Sequence, residues 1–588
     1  MKFKNIAMIA VAAVTMVACN EDSFLDNKPQ GVLSDEVMQS TEGVSLLTNA
    51  AYAELMGMHE QNDVWMVPMT NWSYGSVRAD DAYKGGGGVG DAGDIHRIEI
   101  MDVDATIGNL DVKWFRLYCA VQRCNSALRL LNQCTDNQVK ERAYLIQEMK
   151  FLRAYFYFEL SRMYNRIVWF DENYEGNVGA LSNVVYNRDQ ILSMIADEVE
   201  TAASILPEQH ADLGRINKYN ALAFAAKVNL YRAYKQDDQT HQVTTVDQEL
   251  LRKVVTLCDQ VITSGRYDLL DNFQDLDKVS TGDNSKEGVF QVQYSMNDGS
   301  RDAGRINWSN LLNAPQGPYS GDGFFLPSQD LVDAFQTDTE GLPLFDTYQN
   351  QHFDVWNEET GHCDNTTANV DPRVDFIVGR PGVTWKTYTE SPYQNTWVRD
   401  QATYGQHSSK RFFVSPESNE MFNGWPWGAS ALNWNIIRYA NVLLWKAEAL
   451  IELNQDLDVA RELINKVRRR AANSDYWVRD FNDNTKYAAN YKIAEYPEAG
   501  WTQDYARRAL RFETRLETAM EGERFFDLVR WGIAAETMNT YYQREKTLRI
   551  YYANSKFTAG RDEYFPISNT QYNLSNGAYT QNPGYGDF

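Results

Sequence analysis

Two blocks of amphipathic helical pattern, separated by a long stretch without it, are the feature of this chain that most limits its fold. Within each predicted helix, apolar residues recur at i, i+3, i+4 and i+7, and Asn, Asp, Gly or Pro stands at the boundaries. The pattern predicts helices over residues 44–56, 114–131, 142–164, 188–206, 219–234, 249–262, 435–453, 458–472, 504–520 and 524–538. Their arrangement as pairs with short connections predicts a mainly α protein, a tetratricopeptide-like superhelix of helical pairs, although no regular repeat of about 34 residues is visible.

The stretch between the two blocks, residues 266–430, is rich in Gly, Asn, Asp, Pro and aromatic residues. Short strand patterns occur within it, over 288–295 and 373–380, so we expect a large irregular, loop-rich insertion that contains short β-strands. Loops of this length inside a compact protein are usually functional. We therefore expect the binding site in this insertion.

The N-terminus has the pattern of a secretion signal. Lys2 and Lys4 precede an apolar run over residues 6–18,. The run is about 13 residues long, against about 20 for a helix that crosses a membrane. Residues 16–19, Met-Val-Ala-Cys, resemble a bacterial lipobox, which implies cleavage before Cys19 and acylation of that cysteine, so that the protein is anchored to a membrane without spanning it. A plain signal peptide with an incidental cysteine is the alternative.

Charge and cysteine spacing argue against several classes of protein. A formal net charge of -24 is opposite to what nucleic-acid binding requires, so we expect no nucleic-acid partner,. Five cysteines remain besides Cys19, and no two have the Cys-x-x-Cys spacing of a redox motif or a zinc knuckle,.

Catalytic and metal motifs give no lead either. The chain contains no Gly-x-Ser-x-Gly, no His-Glu-x-x-His and no phosphate-binding Gly-x-x-x-x-Gly-Lys-Ser/Thr sequence,. Acidic pairs such as Asp80 and Asp81 could supply the carboxyl groups of a glycosidase, but with 80 Asp and Glu residues such pairs carry little information,. The nearest metal-like grouping is His352, His362 and Cys363. We expect no catalysis and no cofactor, and leave open a structural calcium ion that no motif supports.

Several motifs, in order along nearly the whole chain, resemble the SusD/RagB family of outer-membrane nutrient-binding lipoproteins. They are FLDNKP (24–29), EMKFLRAYFYFELSRMYN (148–165), YNRDQILSMIADEVETAASILP (186–207), NKYNALAFAAKVNLYRA (217–233), IIRYANVLLWKAEALIELN (436–454), INKVRRRA (464–471), EGERFFDLVRWG (521–532), YFPIS (564–568) and QNPGY (581–585). The resemblance implies a lipid-anchored protein on the cell surface that captures oligosaccharides or polysaccharide and passes them to a SusC-like TonB-dependent transporter of the outer membrane. It also implies that the protein is not an enzyme.

Two other functions stay open. One is a transporter-associated protein for non-glycan cargo such as peptides, and the other is a hydrolase on an unusual scaffold. Combined with the resemblance, the pattern divides the chain into a signal peptide (1–18), an acylated tether (19–40), a helical scaffold (41–265), a loop-rich glycan-binding region (266–430), a second part of the scaffold (431–540) and an irregular C-terminal segment (541–588).

The candidate glycan-binding residues follow from the chemistry of sugars. A sugar ring stacks its C–H face on Trp or Tyr, while polar side chains at the edge bind its hydroxyl groups. Aromatic residues alternate with polar ones in three segments, 71–88, 305–325 and 385–406, and the candidates are Trp72, Tyr74, Asp80, Asp81, Tyr83, Lys84, Trp308, Tyr319, Trp397, Arg399 and Tyr404. Each aromatic ring has core packing as its alternative. Trp425 and Trp427, in the sequence GWPWG, belong to any of the three groups or to none.

Overall fold

The computed structural model of the chain describes residues 35–57, 65–299, 305–357 and 359–588. The secretion signal, Cys19 and the tether up to residue 34 lie outside these residues. No helix in the described ranges is both long and apolar enough to cross a membrane.

The first helical block is a row of antiparallel helices. Helices α4 to α8 pack on one another in chain order, and α5 is buried on all sides along its C-terminal 14 residues, from Phe151 to Tyr164. Asn187 and Asn217 each form a capping box at the start of a helix, which satisfies backbone N–H groups there,. The elements of this block are α1 Asp35–Met38, α2 Thr41–Ala53, β1 Ala82–Gly85, α3 Gly93–Glu99, α4 Gly108–Gln133, α5 Arg142–Tyr164, α6 Arg188–Ile205, α7 Lys218–Ala233, β2 Tyr234–Gln236, β3 Val243–Val246 and α8 Gln248–Thr263.

The insertion carries short elements joined by long loops. These are α9 Val279–Gly282, β4 Gly288–Val292, β5 Phe324–Pro327, α10 Gln329–Ala334, β6 Val355–Asn357, β7 His362–Asp364, β8 Asn369–Val370, α11 Arg373–Ile377, β9 Val378–Gly379, α12 Gln401–Tyr404 and β10 Ser408–Ser409. Helices return in the last part of the chain, with β11 Trp434–Arg438, α13 Tyr439–Leu453, α14 Leu457–Ala471, β12 Asn490–Tyr491, α15 Gln503–Glu517, α16 Arg524–Arg530, α17 Ala534–Glu545 and α18 Asn569–Leu574.

A single helical array runs through both blocks, because α8, the last helix before the insertion, packs directly on α13, the first helix after it. At the same place β4 and β11 pair antiparallel, with Gly288 opposite Arg438 and Val292 opposite Trp434. We call this two-stranded sheet the neck. The chain therefore leaves the array and returns to it at one position.

Buried ion pairs hold the insertion and the neck against α15. The Arg438 guanidinium, in the neck, lies 2.6 Å from a Glu287 carboxylate oxygen and 2.9 Å from one of Glu517. Arg373, in the insertion, contacts Glu513 at 2.7 Å and Glu517 at 3.2 Å. All five side chains are buried, so each charge depends on its partners,.

The mainly α fold predicted from the sequence is confirmed, with three local corrections. Residues 373–380, predicted as a strand, are α11 followed by the two-residue strand β9. The helix predicted over 524–538 is interrupted at Gly532, whose φ of 71° ends α16,. The helix predicted from 435 begins at Tyr439, because residues 434–438 pair with β4 instead.

Candidate functional site

The three segments predicted to bind a glycan meet in space. Strands β1 and β5 pair antiparallel, which joins the first segment to the second. Gly317 packs so closely on the Trp397 indole that an added Cβ would lie 2.4 Å from the ring, which joins the second segment to the third. The Arg399 Nη1 atom lies 3.2 Å from an Asp91 carboxylate oxygen and 3.1 Å from the Asp322 carbonyl oxygen. These contacts join the third segment to the second and to the loop that follows the first.

The rings of these segments point inward, however. Trp72 is 2% exposed and packs against Phe324 and Phe325, with ring centroids 6.4 and 5.6 Å away. The expected open orientation is wrong for ten of the eleven candidates, which are buried: Trp72, Tyr74, Asp80, Asp81, Tyr83, Lys84, Trp308, Tyr319, Trp397 and Tyr404. Apolar contacts on both faces of a ring stabilise the core and leave no face free for a sugar.

The two acidic candidates are ion-paired with helices of the scaffold. Asp81 lies 3.0 Å from the Arg515 guanidinium, and Asp80 lies 2.8 Å from that of Arg524. Burial alone would raise the pKa of Asp80, but Arg515 and Arg524 hold it below the usual range. These carboxylates fix the first segment to the scaffold.

Lys84 holds the glycine-rich loop that follows it. Its Nζ atom donates to the carbonyl oxygens of Gly85 and Gly88 at 2.9 Å each, and also to that of Asp91. Burial lowers the pKa of Lys84 to about 8, against the opposing effect of Glu99 and Asp91. The ammonium group is therefore a structural cation inside the loop.

Arg399 is the one predicted candidate that reaches solvent, with 31% of its side chain exposed. Asp91 and Asp322 flank its guanidinium group. Together they form a polar surface that both donates and accepts hydrogen bonds, as the edge of a sugar requires.

The exposed aromatic rings of the insertion lie on a hairpin that the sequence left unassigned. In this tryptophan hairpin, residues 421–430, Phe422 N donates to Ala429 O at 2.8 Å, and Trp425 and Trp427 at its tip are 46% and 39% exposed. Trp308 supports the tip from below, with its ring centroid 5.2 Å from that of Trp425 in an edge-on arrangement. The one signal in the sequence was the Gly and Pro residues around the two indoles, since these residues place side chains on projecting turns.

The tryptophan hairpin is adjacent to the three convergent segments. A Cβ on Gly428 would lie 2.7 Å from the Ala314 Cβ and 3.3 Å from the Tyr319 ring. Gly323, in the same loop as Ala314 and Tyr319, packs on the Arg399 side chain. A Cβ added to Gly323 would lie 3.4 Å from the Arg399 Cγ atom. The tryptophan hairpin and the Arg399 side chain thus both contact the loop over residues 314–323.

A cavity of about 400 Å³ lies next to the base of the hairpin, where Glu420 lines it. Its walls come from the insertion alone, from residues 272–280, 376, 386–387 and 410–420. Lys386, Lys410 and Ser415 line it together with Asp277 and Glu420, and we call it the lysine cavity.

No group of three or more His, Cys, Asp or Glu side chains in the described ranges is placed to hold a metal ion. His352, part of the metal-like grouping in the sequence, has its Nδ1 atom 2.7 Å from an Asp333 carboxylate oxygen. That the protein uses no cofactor stays a prediction.

Family models match most of the chain. A model described as the SusD family matches residues 286–585, and one described as "Starch-binding associating with outer membrane" matches residues 23–230. SusD-like protein P2 of Formosa agariphila is 23% identical over 585 residues, covering 98% of each chain, and SusD-like protein P38 of the same organism is 23% identical over 555 residues, covering 91% of this chain and 93% of the other.

Solved structures share the fold at low identity. A SusD-like protein of Bacteroides fragilis matches with a TM-score of 0.67 at 20% identity, over 94% of this chain and 99% of the other. Surface glycan-binding protein A of Bacteroides thetaiotaomicron, solved in complex with laminarihexaose, matches with a TM-score of 0.62 at 19% identity, over 92% and 99%. A laminarin-binding SusD-like protein matches with a TM-score of 0.63 at 20% identity, over 93% and 100%. The SusD family model spans half of the sequence, and the chain therefore belongs to the SusD family.

Proposed function

We propose that the protein is a lipid-anchored glycan-binding protein of the outer cell surface that passes oligosaccharides or polysaccharide to a SusC-like TonB-dependent transporter. The observation that carries the proposal is the tryptophan hairpin with its two exposed indoles, together with the polar group of Arg399, Asp91 and Asp322, because both contact the loop over residues 314–323. Exposed indoles are rare outside binding surfaces, and a sugar ring needs both a flat apolar face and polar groups at its edge.

The relatives support the ligand class. Two proteins of the same fold are named for binding laminarin or solved with laminarihexaose. The location rests on the lipobox at Cys19 and on the family description that mentions the outer membrane. Delivery to a transporter rests on the family resemblance.

Binding without hydrolysis is the proposed chemistry. The acidic pair Asp80 and Asp81, the plainest glycosidase candidates in the sequence, are buried and paired with arginines. A glycosidase needs one protonated and one ionised carboxyl group that touch the substrate. Side chains closed off in this way do not meet that requirement.

Affinity gels that contain candidate polysaccharides test the proposal. We expect at least one glycan to retard the wild-type protein without the release of reducing ends. The variants Trp425→Ala and Trp427→Ala should each weaken the affinity about tenfold or more, since covering one large apolar side chain contributes about 1.5 to 3 kcal/mol.

Phe115→Ala is the matched control, because it removes an exposed aromatic ring from α4, far along the chain from the insertion. It should leave retardation unchanged. Release of reducing ends would instead indicate a hydrolase. No retardation by any glycan, together with binding of peptides, would indicate non-glycan cargo.

A further inference from the structure

We propose that the lysine cavity binds an anionic substituent, a carboxylate or a sulfate, carried by the glycan. This inference rests on the proposed function and names the class of glycan. The cavity adjoins the base of the tryptophan hairpin through Glu420, the residue that precedes the hairpin and lines the cavity. A chain stacked on the indoles would then place its acidic group in the cavity.

Lys278, Lys386 and Lys410 line the cavity; Lys278 is paired with Asp275 at 2.6 Å, while the other two lysines have hydrogen-bonding capacity left over. Lys410, 2% exposed, donates to the carbonyl oxygens of Asp375 and Thr384 at 2.8 Å each. An ammonium group has three N–H donors, so one remains. Lys386 makes a single long contact, 3.5 Å from Nζ to an Asp277 carboxylate oxygen.

The carboxylates on the same walls are already occupied by protein donors. Asp277 accepts from Arg411 Nε at 3.2 Å and from the backbone N–H of Phe412 at 3.1 Å. Glu420 accepts from the backbone N–H groups of Val279 and Ser280, at 3.2 and 3.1 Å. The Arg411 guanidinium thereby balances the charge of Asp277, and the backbone N–H groups occupy both carboxylate oxygens of Glu420, before a ligand arrives.

Ser415 adds an independent observation. Its hydroxyl oxygen is shielded from solvent and has no hydrogen-bond partner among the described residues, although it lines the cavity. A buried polar atom without a partner costs about 1 to 3 kcal/mol. A ligand that accepts a hydrogen bond there would recover that free energy.

An excess of donors distinguishes an anion from a neutral sugar. A hydroxyl group donates as well as accepts, whereas an ionised carboxylate or a sulfate only accepts. Hydrogen bonds to charged groups are also about twice as strong as neutral ones. The free donors of Lys386, Lys410 and Ser415 therefore favour the anionic group.

The ionisation of Lys410 gives the binding a pH dependence. Burial lowers the pKa of Lys410 to about 7, Asp375 opposes this effect, and Lys386 and Arg380 add to it. A bound anion stabilises the protonated lysine and so raises its pKa. Affinity for the acidic glycan should therefore fall as the pH rises from 6 to 8.5, while stacking on the tryptophan hairpin does not change over that range.

The experiment compares each acidic polysaccharide with its own neutralised form. Polygalacturonate, alginate and glucuronoxylan are tested beside their carboxyl-reduced products, and chondroitin sulfate beside its desulfated product, by affinity gels and calorimetry on the full soluble chain at pH 6 and 8.5. We expect an acidic form to bind at least tenfold more tightly than its neutralised form at pH 6. Free glucuronate and inorganic sulfate, added as competitors, report whether the anion alone suffices.

Variants assign the effect to the cavity. Lys386→Met and Ser415→Ala should each weaken binding of the acidic form severalfold and leave the neutralised form within twofold. Lys410→Met should have the larger effect. Because Lys410 is buried, this variant can fail to fold, and in that case Lys386→Met and Ser415→Ala carry the test. Lys286→Met, which removes an ammonium group 3.3 Å from Asp271 outside the cavity, is the control and should change neither affinity.

The outcomes separate this inference from the proposed function. Equal binding of acidic and neutralised forms, or retention of neutral glycans alone, overturns the anionic subsite and leaves glycan binding in place. The inference also fails if glucuronate or sulfate binds as tightly as the acidic glycan. Failure of every glycan to bind overturns the proposed function itself.

Discussion

A tryptophan in this protein serves the core or the surface according to the direction of its ring. Trp72 is 2% exposed and packs against Phe324 and Phe325, whereas Trp425 stands at a turn, 46% exposed, in edge-on contact with Trp308. Both occur in segments that are rich in aromatic and polar residues. Residue type alone therefore does not distinguish packing from binding.

Replacement of a buried indole should destabilise the protein. We expect Trp72→Ala to lower the free energy of unfolding by about 3 to 5 kcal/mol, because it leaves a cavity among the phenylalanines. Urea denaturation followed by circular dichroism measures the change. Trp427→Ala, at an exposed site, should change it by less than about 0.5 kcal/mol. Equal effects of the two variants would contradict the assignment of Trp72 to the core.

The sequence predicted the region of the site better than its residues. All three predicted segments meet around Arg399, and the exposed indoles lie in the predicted insertion. Ring direction was not predictable, because it depends on contacts such as those of Trp72 with β5, about 250 residues away. The Gly and Pro residues beside Trp425 and Trp427 were the usable local signal.

At the scale of elements, the neck and α15 are joined by charge as much as by packing. Arg438 contacts Glu287, Glu517 and Glu521; the first two carboxylates and the arginine are buried, and the Glu521 side chain is 9% exposed. A buried charge without its partner is expensive, so these contacts depend on one another. Loss of one arginine leaves several carboxylates uncompensated.

We expect Arg438→Met to lower the free energy of unfolding by about 3 to 5 kcal/mol, since methionine fills similar space without the charge. Arg469→Met is the control, because Arg469 is half exposed and pairs with Glu462 and Glu495 at the surface. It should cost less than about 1 kcal/mol. Chemical denaturation distinguishes the two, and a similar cost for both would show that the buried ion pairs contribute no more than surface ones.

Helices with strong amphipathic patterns were the most predictable elements. The bounds of α8 and α14 lie within one residue of the prediction at each end, since 3.6-residue periodicity reports burial on one face,. The helix over 524–538 was interrupted by a glycine in the left-handed region, and β11 extended into a predicted helix because it had a partner strand. A pairing partner about 145 residues away has no local signature.

At the scale of the whole molecule, buried carboxylates set the response to acid. Burial alone would raise the pKa of Glu517, but Arg470, Arg438 and Arg373 hold it at about 2. Burial would likewise raise the pKa of Glu523, but the positive charges of Arg162 and Lys227 hold it at about 2. A carboxyl group with a lowered pKa contributes stability above the pKa of the unfolded chain, about 4.3, and loses it as the pH falls to the folded value.

The melting temperature should therefore drop steeply between about pH 4.5 and pH 2. Differential scanning calorimetry across that range measures it. Glu517→Gln removes one of the responsible groups and should flatten the drop while lowering the melting temperature at pH 7. An unchanged melting temperature in the wild-type protein down to pH 2 would contradict this account.

The neck has a consequence for how such a protein diversifies. Both ends of the insertion enter the helical array at one pair of strands, between two helices that already pack on each other. Loop closure costs little more as a loop lengthens, so residues can be added, removed or exchanged in the exposed turns beyond the neck without displacing the array. New ligand preferences can then arise at turns such as the tip of the tryptophan hairpin, while β5 and Arg373 keep their partners in β1 and α15.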